Sequence, residues 1–212
     1  MSERRAGIKG GRLVGLAALL LLAMSVAILA LAGSGEPGLR MLVRATARTS
    51  LALFGAAFAA SSLRRLWPTP ATGWLLRERR YLGLSFAVSH ALHALAIYAL
   101  SLVLGDAFET NLVTIVFGGG AYVMIALMAA TSSDRAVAWL GRRRWRLLHL
   151  VGMYWIWIIF ANSYTARAVM AIARGSESLA YVPVAVFVWA VLGVRIAVAL
   201  RARRRAGVTA TA

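Results

Sequence analysis

Long apolar stretches alternate with short clusters of basic residues along the chain, and this alternation constrains the fold more than any other feature. A helix needs about 20 apolar residues to cross a bilayer. Six stretches reach or approach that length, at residues 13–32, 45–63, 81–104, 112–131, 147–168 and 181–200. Hydrophobic residues make up 61% of the 212 residues, against roughly 45–50% in soluble domains. The sequence therefore predicts an all-α membrane bundle of six transmembrane helices, forming one domain over residues 13–200.

The first two stretches each raise a question: whether 13–32 is cleaved or retained, and where the second helix begins. A basic start, an apolar core and Ala30-Leu31-Ala32 give 13–32 the pattern of a cleaved signal peptide. The stretch is longer than the usual signal core of about 7–15 residues, which favours a retained helix. Gly33 to Arg48 contains Gly, Pro37 and arginines, and is predicted as a loop. The second helix therefore reaches spanning length only by starting near Ala45.

The positions of Lys and Arg predict the topology. Residues 1–12 carry four, 64–80 carry five, 132–146 carry five and 201–212 carry four, which is 18 of the 24. The opposite side has five, and Arg195 lies within the last stretch. Basic residues accumulate on the cytoplasmic side, so both basic ends are predicted to be cytoplasmic, in a bacterial inner membrane. Because the net charge of +17 is explained in this way, nucleic acid binding is not expected.

All three histidines fall in apolar stretches. His90 and His93 are three residues apart, so they share one face of the third helix. His149 begins the fifth helix, which leaves the cytoplasmic side in the same direction, so an imidazole from each helix can approach one point. Ionisable groups at bilayer depth are costly and are usually functional. The spacing alone leaves three interpretations open: ligands of a haem iron, hydrogen bonds between helices, and a path for protons or ions.

The chain has no cysteine. This excludes disulfide bonds, and it also excludes thiolate ligation of haem, iron–sulfur clusters and covalent attachment of c-type haem. If the histidines bind a redox group, imidazole is the ligand that the sequence offers for it.

Several short motifs resemble the ferric-reductase-like transmembrane domain family, and within it the haem-binding membrane subunits of methionine sulfoxide reductase systems. Their order and spacing cover residues 45–170. The motifs are Ser62-Leu63-Arg64-Arg65-Leu66, Arg79-Arg80-Tyr81-Leu82-Gly83-Leu84, Thr131-Ser132-Ser133, Leu140-Gly141-Arg142-Arg143 and Arg146-Leu147-Leu148-His149. The resemblance implies one b-type haem, with His93 and His149 as iron ligands. His90 is an addition to the family pattern, and it is the rival of His93.

Other positions complete or limit the implied site. Arg80, Arg143 and Arg146 lie near the cytoplasmic ends of the two helices, where they can bind haem propionates by charge-assisted hydrogen bonds. Asn162 stands where the family has a further histidine, and Asp106 stands at the matching distance on the third helix. The resemblance therefore implies a single haem toward the inner half of the membrane.

The implied function is electron transfer from a separate cytoplasmic flavin or nicotinamide reductase toward an acceptor on the outer side. The reductase is expected to be separate because the chain contains no flavin or nicotinamide domain. Two alternatives remain. A non-redox scaffold or assembly subunit that keeps the fold is favoured by Asn162, and a small proton or ion transporter would use His90 and His93.

Overall fold

The computed structural model describes residues 10–174 and 177–210, and every regular element within these ranges is helical. Most of the predicted basic start at 1–12 lies outside them. The α-helices are α1 (Gly11–Ala32), α2 (Glu36–Leu66), α3 (Pro70–Arg77), α4 (Arg79–Leu104), α5 (Leu112–Ala130), α6 (Asp134–Leu140), α7 (Arg142–Ala173) and α8 (Tyr181–Ala210). Short 3₁₀ turns lie at Gly105–Ala107 and Glu177–Ala180.

Five helices are long and apolar enough to cross a membrane. These candidate spans are Gly11–Ala32, Arg79–Ala107, Leu112–Ala130, Arg142–Ala173 and Tyr181–Arg204. The chain is thus a helical membrane protein. The second helix, α2, has 31 residues but is not among the five, because arginines and hydroxyl residues dilute its apolar part. The sixth span stays a prediction.

The predicted loop at 33–48 is wrong over most of its length, because α2 begins at Glu36. Pro37 lies in the first helical turn, where its missing N–H has no intrahelical partner to lose. The Glu36 carboxylate binds Nε of Arg40 at 2.7 Å, a favourable pairing four residues apart on a helix. The proline and the charges that suggested a loop therefore start a helix.

The turn between α1 and α2 brings two backbone segments into direct contact. Gly33, after the last residue of α1, has φ of +79°, which glycine adopts at little cost. Gly38, in the first turn of α2, faces it so closely that a Cβ there would overlap the carbonyl oxygen of Gly33. The close packing of this turn against α2 therefore depends on the absence of a side chain at Gly38.

The chain divides into two compact units, with the boundary inside α2. The first consists of residues 10–54 and of Arg77–Leu112. In it α1 packs against α4, and α2 and α4 share a buried apolar cluster of Leu39, Leu42, Ala96 and Leu100. Glu78, directly before α4, is buried and accepts a hydrogen bond from the backbone N–H of Gly10 at 2.8 Å. A carboxylate at a helix N-terminus is favoured by the helix dipole, so Glu78 holds the start of α1 against α4.

The second unit consists of Gly55–Leu76 and of the chain from Val113 onward. Its main contact is between α7 and α8, where the Trp157 indole donates to the carbonyl oxygen of Val188 at 3.0 Å. Gly55 of α2 lies against Phe187, and a Cβ at Gly55 would come within 2.6 Å of that ring. Small residues of this kind let helices approach closely in lipid.

Arg195 lies inside the apolar part of α8, and aromatic rings surround it. Its Nη1 donates to the carbonyl oxygen of Phe58 at 2.8 Å, and its Nε donates to the hydroxyl of Tyr154 at 3.4 Å. The guanidinium carbon is 4.3 Å from the centre of the Phe58 ring. Charges within membrane spans are rare and turn toward the protein interior. Here the guanidinium joins α2, α7 and α8 within the second unit.

We expect Arg195→Lys to destabilise the protein more than Arg195→Met. A lysine keeps the charge but cannot lie flat on a ring and donate to both acceptors, so about 2 kcal/mol of cation–π attraction is lost. Methionine loses the same contacts, but removing a charge from the apolar span offsets this by about 2.5–3.5 kcal/mol. Thermal unfolding midpoints in detergent measure the difference. A lysine variant as stable as the methionine variant would contradict this account of Arg195.

Candidate functional site

His93 lies in α4, about four turns from its start at Arg79. Its Nδ1 is 3.1 Å from Oγ1 of Thr46, a residue of α2 that is completely buried. The Thr46 hydroxyl also donates to the carbonyl oxygen of Leu42 at 2.8 Å. His93 is therefore bound through Nδ1 to a hydroxyl of the neighbouring helix rather than left to rotate.

A second set of hydroxyl contacts lies one helical turn away from His93. Ser89 Oγ is 2.9 Å from Oγ of Ser50 and 3.2 Å from Oγ1 of Thr49. Ser50 and Ser89 are both fully buried. Ser85, one turn further along α4, is also fully buried. Polar side chains thus line the seam between α2 and α4 within the first unit.

The rival histidine, His90, has a different environment. Its ring centre is 5.3 Å from that of Phe86 and 5.2 Å from that of His93. The predicted sharing of one helix face by the two histidines is therefore observed.

His149 lies two turns inside α7, because that helix begins at Arg142 rather than at the predicted Leu147. Its Nδ1 is 3.1 Å from the carbonyl oxygen of Trp145. A carbonyl oxygen can only accept, so Nδ1 carries the proton and the lone pair of the neutral ring is on Nε2. An imidazole held in this tautomer can bind a metal through Nε2.

Trp145 fixes His149 in a second way. The two ring centres are 4.3 Å apart, and the Trp145 indole donates to the carbonyl oxygen of Thr131 at 3.0 Å. Thr131 directly follows α5, so His149 is tied through Trp145 to the end of that helix. Ligand residues of metal sites are commonly held by such hydrogen-bonded neighbours.

A run of three glycines, Gly118-Gly119-Gly120, follows Phe117 in α5. In the structure a tryptophan approaches it. The Trp155 indole donates to the carbonyl oxygen of Phe117 at 3.2 Å, and a Cβ at Gly120 would lie 3.1 Å from the Trp155 ring. The run therefore accommodates a large side chain of α7 within the second unit.

The three predicted propionate-binding arginines, Arg80, Arg143 and Arg146, are exposed. Arg80 belongs to the first turn of α4, and the others to the first turns of α7. Nε of Arg146 donates to the carbonyl oxygen of Arg142 at 3.2 Å. Their positions at the helix starts agree with the sequence, while their role as ligands stays a prediction.

The positions that argued against a second haem are both exposed. Asn162 is an exposed residue of α7, and Asp106 is an exposed residue of the 3₁₀ turn after α4.

His93 belongs to the first unit and His149 to the second, so their pairing at one site stays a prediction. In residues 10–174 and 177–210, no three His, Cys, Asp or Glu side chains group as a candidate metal-ion site.

Sequence reasoning missed Thr46 and the backbone of Trp145, the two partners of the histidines. A signal for Thr46 was present: Thr46 and Ser50 on α2 have the same four-residue spacing as Ser89 and His93 on α4. Such matched polar positions on two apolar helices indicate side chains that face each other. No sequence signal identifies a backbone carbonyl as a partner.

These observations define a helical membrane protein with oriented imidazoles on two of its helices. Over 119 residues the chain is 34% identical to the protein-methionine-sulfoxide reductase heme-binding subunit MsrQ of Ralstonia nicotianae. The aligned part is 54% of this chain and 54% of the relative, so the chain matches about half the length of that curated protein. No family model matches the chain, and no solved structure matches it.

The resemblance to haem-binding membrane subunits of methionine sulfoxide reductase systems is confirmed over that stretch. The wider resemblance to the ferric-reductase-like family stays a prediction.

Proposed function

We propose that the chain is a haem-binding membrane subunit of an electron-transfer system. The observation that carries the proposal is the hydrogen bond from His149 Nδ1 to the carbonyl oxygen of Trp145. It puts the lone pair of the neutral ring on Nε2, the nitrogen through which the imidazole would hold a haem iron. The relative, whose printed name is that of a heme-binding subunit, supports the same conclusion.

The proposed cofactor is one haem b, whose iron would be held by His93 and His149, with His90 as the alternative to His93. A haem with two imidazole ligands supplies one-electron transfer and has no open iron position for a substrate. The imidazoles would hold the iron, and Arg80, Arg143 and Arg146 would bind the propionates at the membrane edge. The exposed position of these arginines at the helix starts is compatible with that role.

The proposed topology has six spans, with α2 as the second span and both ends of the chain in the cytoplasm. In support, α2 has 31 residues and is long enough to cross a bilayer. The distribution of Lys and Arg gives the orientation. We place the protein in a bacterial inner membrane.

Electrons would come from a separate cytoplasmic flavin or nicotinamide reductase and pass to an acceptor on the outer side. The relative is named as a subunit of a protein-methionine-sulfoxide reductase. An enzyme of that kind is therefore the first acceptor to test.

The protein purified in detergent is expected to show a Soret band typical of low-spin haem with two imidazole ligands, at one haem per chain. Absorption spectra of the oxidised and reduced protein, with haem content measured after extraction, provide the test. A folded protein that stays free of haem when haem is supplied in excess would reject the proposal. In that case the non-redox scaffold becomes the better interpretation.

A further inference from the structure

Thr46 is completely buried, and its hydroxyl lies within hydrogen-bond distance of three atoms. Two are backbone carbonyl oxygens of its own helix, that of Leu42 at 2.8 Å and that of Val43 at 3.1 Å. The third is Nδ1 of His93, at 3.1 Å. A hydroxyl has one hydrogen to donate, and carbonyl oxygens can only accept. Threonine hydroxyls within helices commonly donate to such carbonyls, and the hydroxyl oxygen can then accept a hydrogen bond from Nδ1 of His93.

From this geometry we infer that Thr46 sets the tautomer of His93, by accepting a hydrogen bond from its Nδ1. The proton is then on Nδ1 and the lone pair is on Nε2. This inference deepens the proposed function, on which its redox part rests, because it makes Thr46 the positioning residue of one proposed iron ligand.

The seam around Thr46 keeps this contact in register. Ser50 is four residues after Thr46, and Ser89 is four residues before His93, and their hydroxyls are 2.9 Å apart. Two matched pairs thus join α2 to α4 within the first unit. A shift of either helix by one residue would break both pairs, so the Ser50–Ser89 pair holds Thr46 opposite His93.

The two proposed ligands differ in how they are held. The acceptor for His149 is the backbone carbonyl of Trp145, which no side-chain replacement removes. The acceptor for His93 is a side-chain hydroxyl. A hydrogen bond from Nδ1 makes an imidazole a more basic ligand, and this stabilises the oxidised iron. Thr46 is thus a position where a substitution changes the haem potential and leaves both ligands in place.

The test compares Thr46→Val, which keeps the branched shape and removes the hydroxyl, with Thr46→Ser, which keeps the hydroxyl. Thr49→Val is the matched control, because Thr49 lies one turn away and its hydroxyl contacts Ser89 at 3.2 Å rather than His93. The tautomer of His93 is read from ¹⁵N-histidine NMR of the full haem-free chain. The midpoint potential and haem affinity are measured on the haem-loaded protein.

In Thr46→Val we expect the His93 proton to shift from Nδ1 toward Nε2, the midpoint potential to rise, and haem affinity to fall by about 10–100-fold. Thr46→Ser and Thr49→Val should match the wild type in all three measurements.

An unchanged His93 tautomer in Thr46→Val would overturn the inference. If the wild type binds no haem, the proposed function fails, but the NMR comparison still decides the role of Thr46. If Thr46→Val does not fold, the wild type and Thr46→Ser still decide the question. A His93 ring that carries its proton on Nε2 in either protein would overturn the inference.

Discussion

Replacing His149 by alanine is expected to abolish the low-spin Soret band of the haem-loaded protein. His149 is held in one tautomer by the Trp145 carbonyl at 3.1 Å and in one orientation by the Trp145 ring. Loss of a neighbour that orients a ligand costs about 10–100-fold in metal affinity. Loss of the ligand itself should therefore cost more than about 100-fold. Haem content per chain and the absorption spectrum measure the change.

His90→Ala is the matched comparison for this prediction. It removes an imidazole from the same face of α4 but leaves the Thr46–His93 contact in place, so the band should be retained. His93→Ala should behave like His149→Ala. Retention of a low-spin spectrum with two imidazole ligands in His149→Ala would show that the fifth predicted span does not supply a ligand. Loss of the band in His90→Ala would transfer the ligand role on α4 to His90.

Gly38→Ala is expected to destabilise the protein, although helix propensity alone predicts the opposite. Alanine within a helix is favoured over glycine by about 1 kcal/mol. At Gly38, however, the added Cβ would overlap the carbonyl oxygen of Gly33. Backbone atoms cannot turn aside as a flexible side chain can, so the α1–α2 joint must open. We expect a net loss of about 2–3 kcal/mol, as in overpacked sites.

Gly15→Ala is the control for Gly38→Ala. Gly15 is also helical, and a Cβ there meets no atom within 4 Å in the described structure. Its replacement should therefore raise the unfolding midpoint slightly or leave it unchanged. Both variants can be compared by thermal unfolding in detergent. Equal behaviour of the two would mean that the close approach of Gly33 and Gly38 is not part of the folded protein.

Most helix positions followed from apolar length, because lipid requires a continuous apolar helix and the sequence shows its length directly. The stretches predicted at 13–32 and 112–131 are observed as Gly11–Ala32 and Leu112–Ala130. The exceptions lie where polar residues belong to helices. α2 extends back to Glu36, and α7 begins at Arg142 within the basic cluster. Charge marks the limits of an apolar stretch, whereas a helix ends where its backbone loses hydrogen bonds.

The sequence alone singles out the candidate histidines, but it does not show which groups they contact. Histidine is rare in this chain, so its positions stand out against an apolar background. Thr46 is one of several hydroxyl residues, and only the pairing of α2 with α4 shows that it contacts His93. The partner of His149 is a carbonyl oxygen, a group that every residue carries. Such a contact depends on the ring orientation, which a sequence does not encode in any single residue type.

The hydrogen bond between Gly10 and Glu78 has a consequence for how the protein is made. Its two residues are 68 positions apart, and ribosomes add about 5–20 residues per second. The start of α1 therefore waits about 3–14 s until the carboxylate that accepts its hydrogen bond has been synthesised. During that time α1 lacks this contact with the start of α4. The hydroxyl of Ser25 in α1 needs no such partner, because it donates to the Leu21 carbonyl of the same helix at 2.8 Å. Docking of α1 onto α4 through this hydrogen bond is thus a later step than the synthesis of α1.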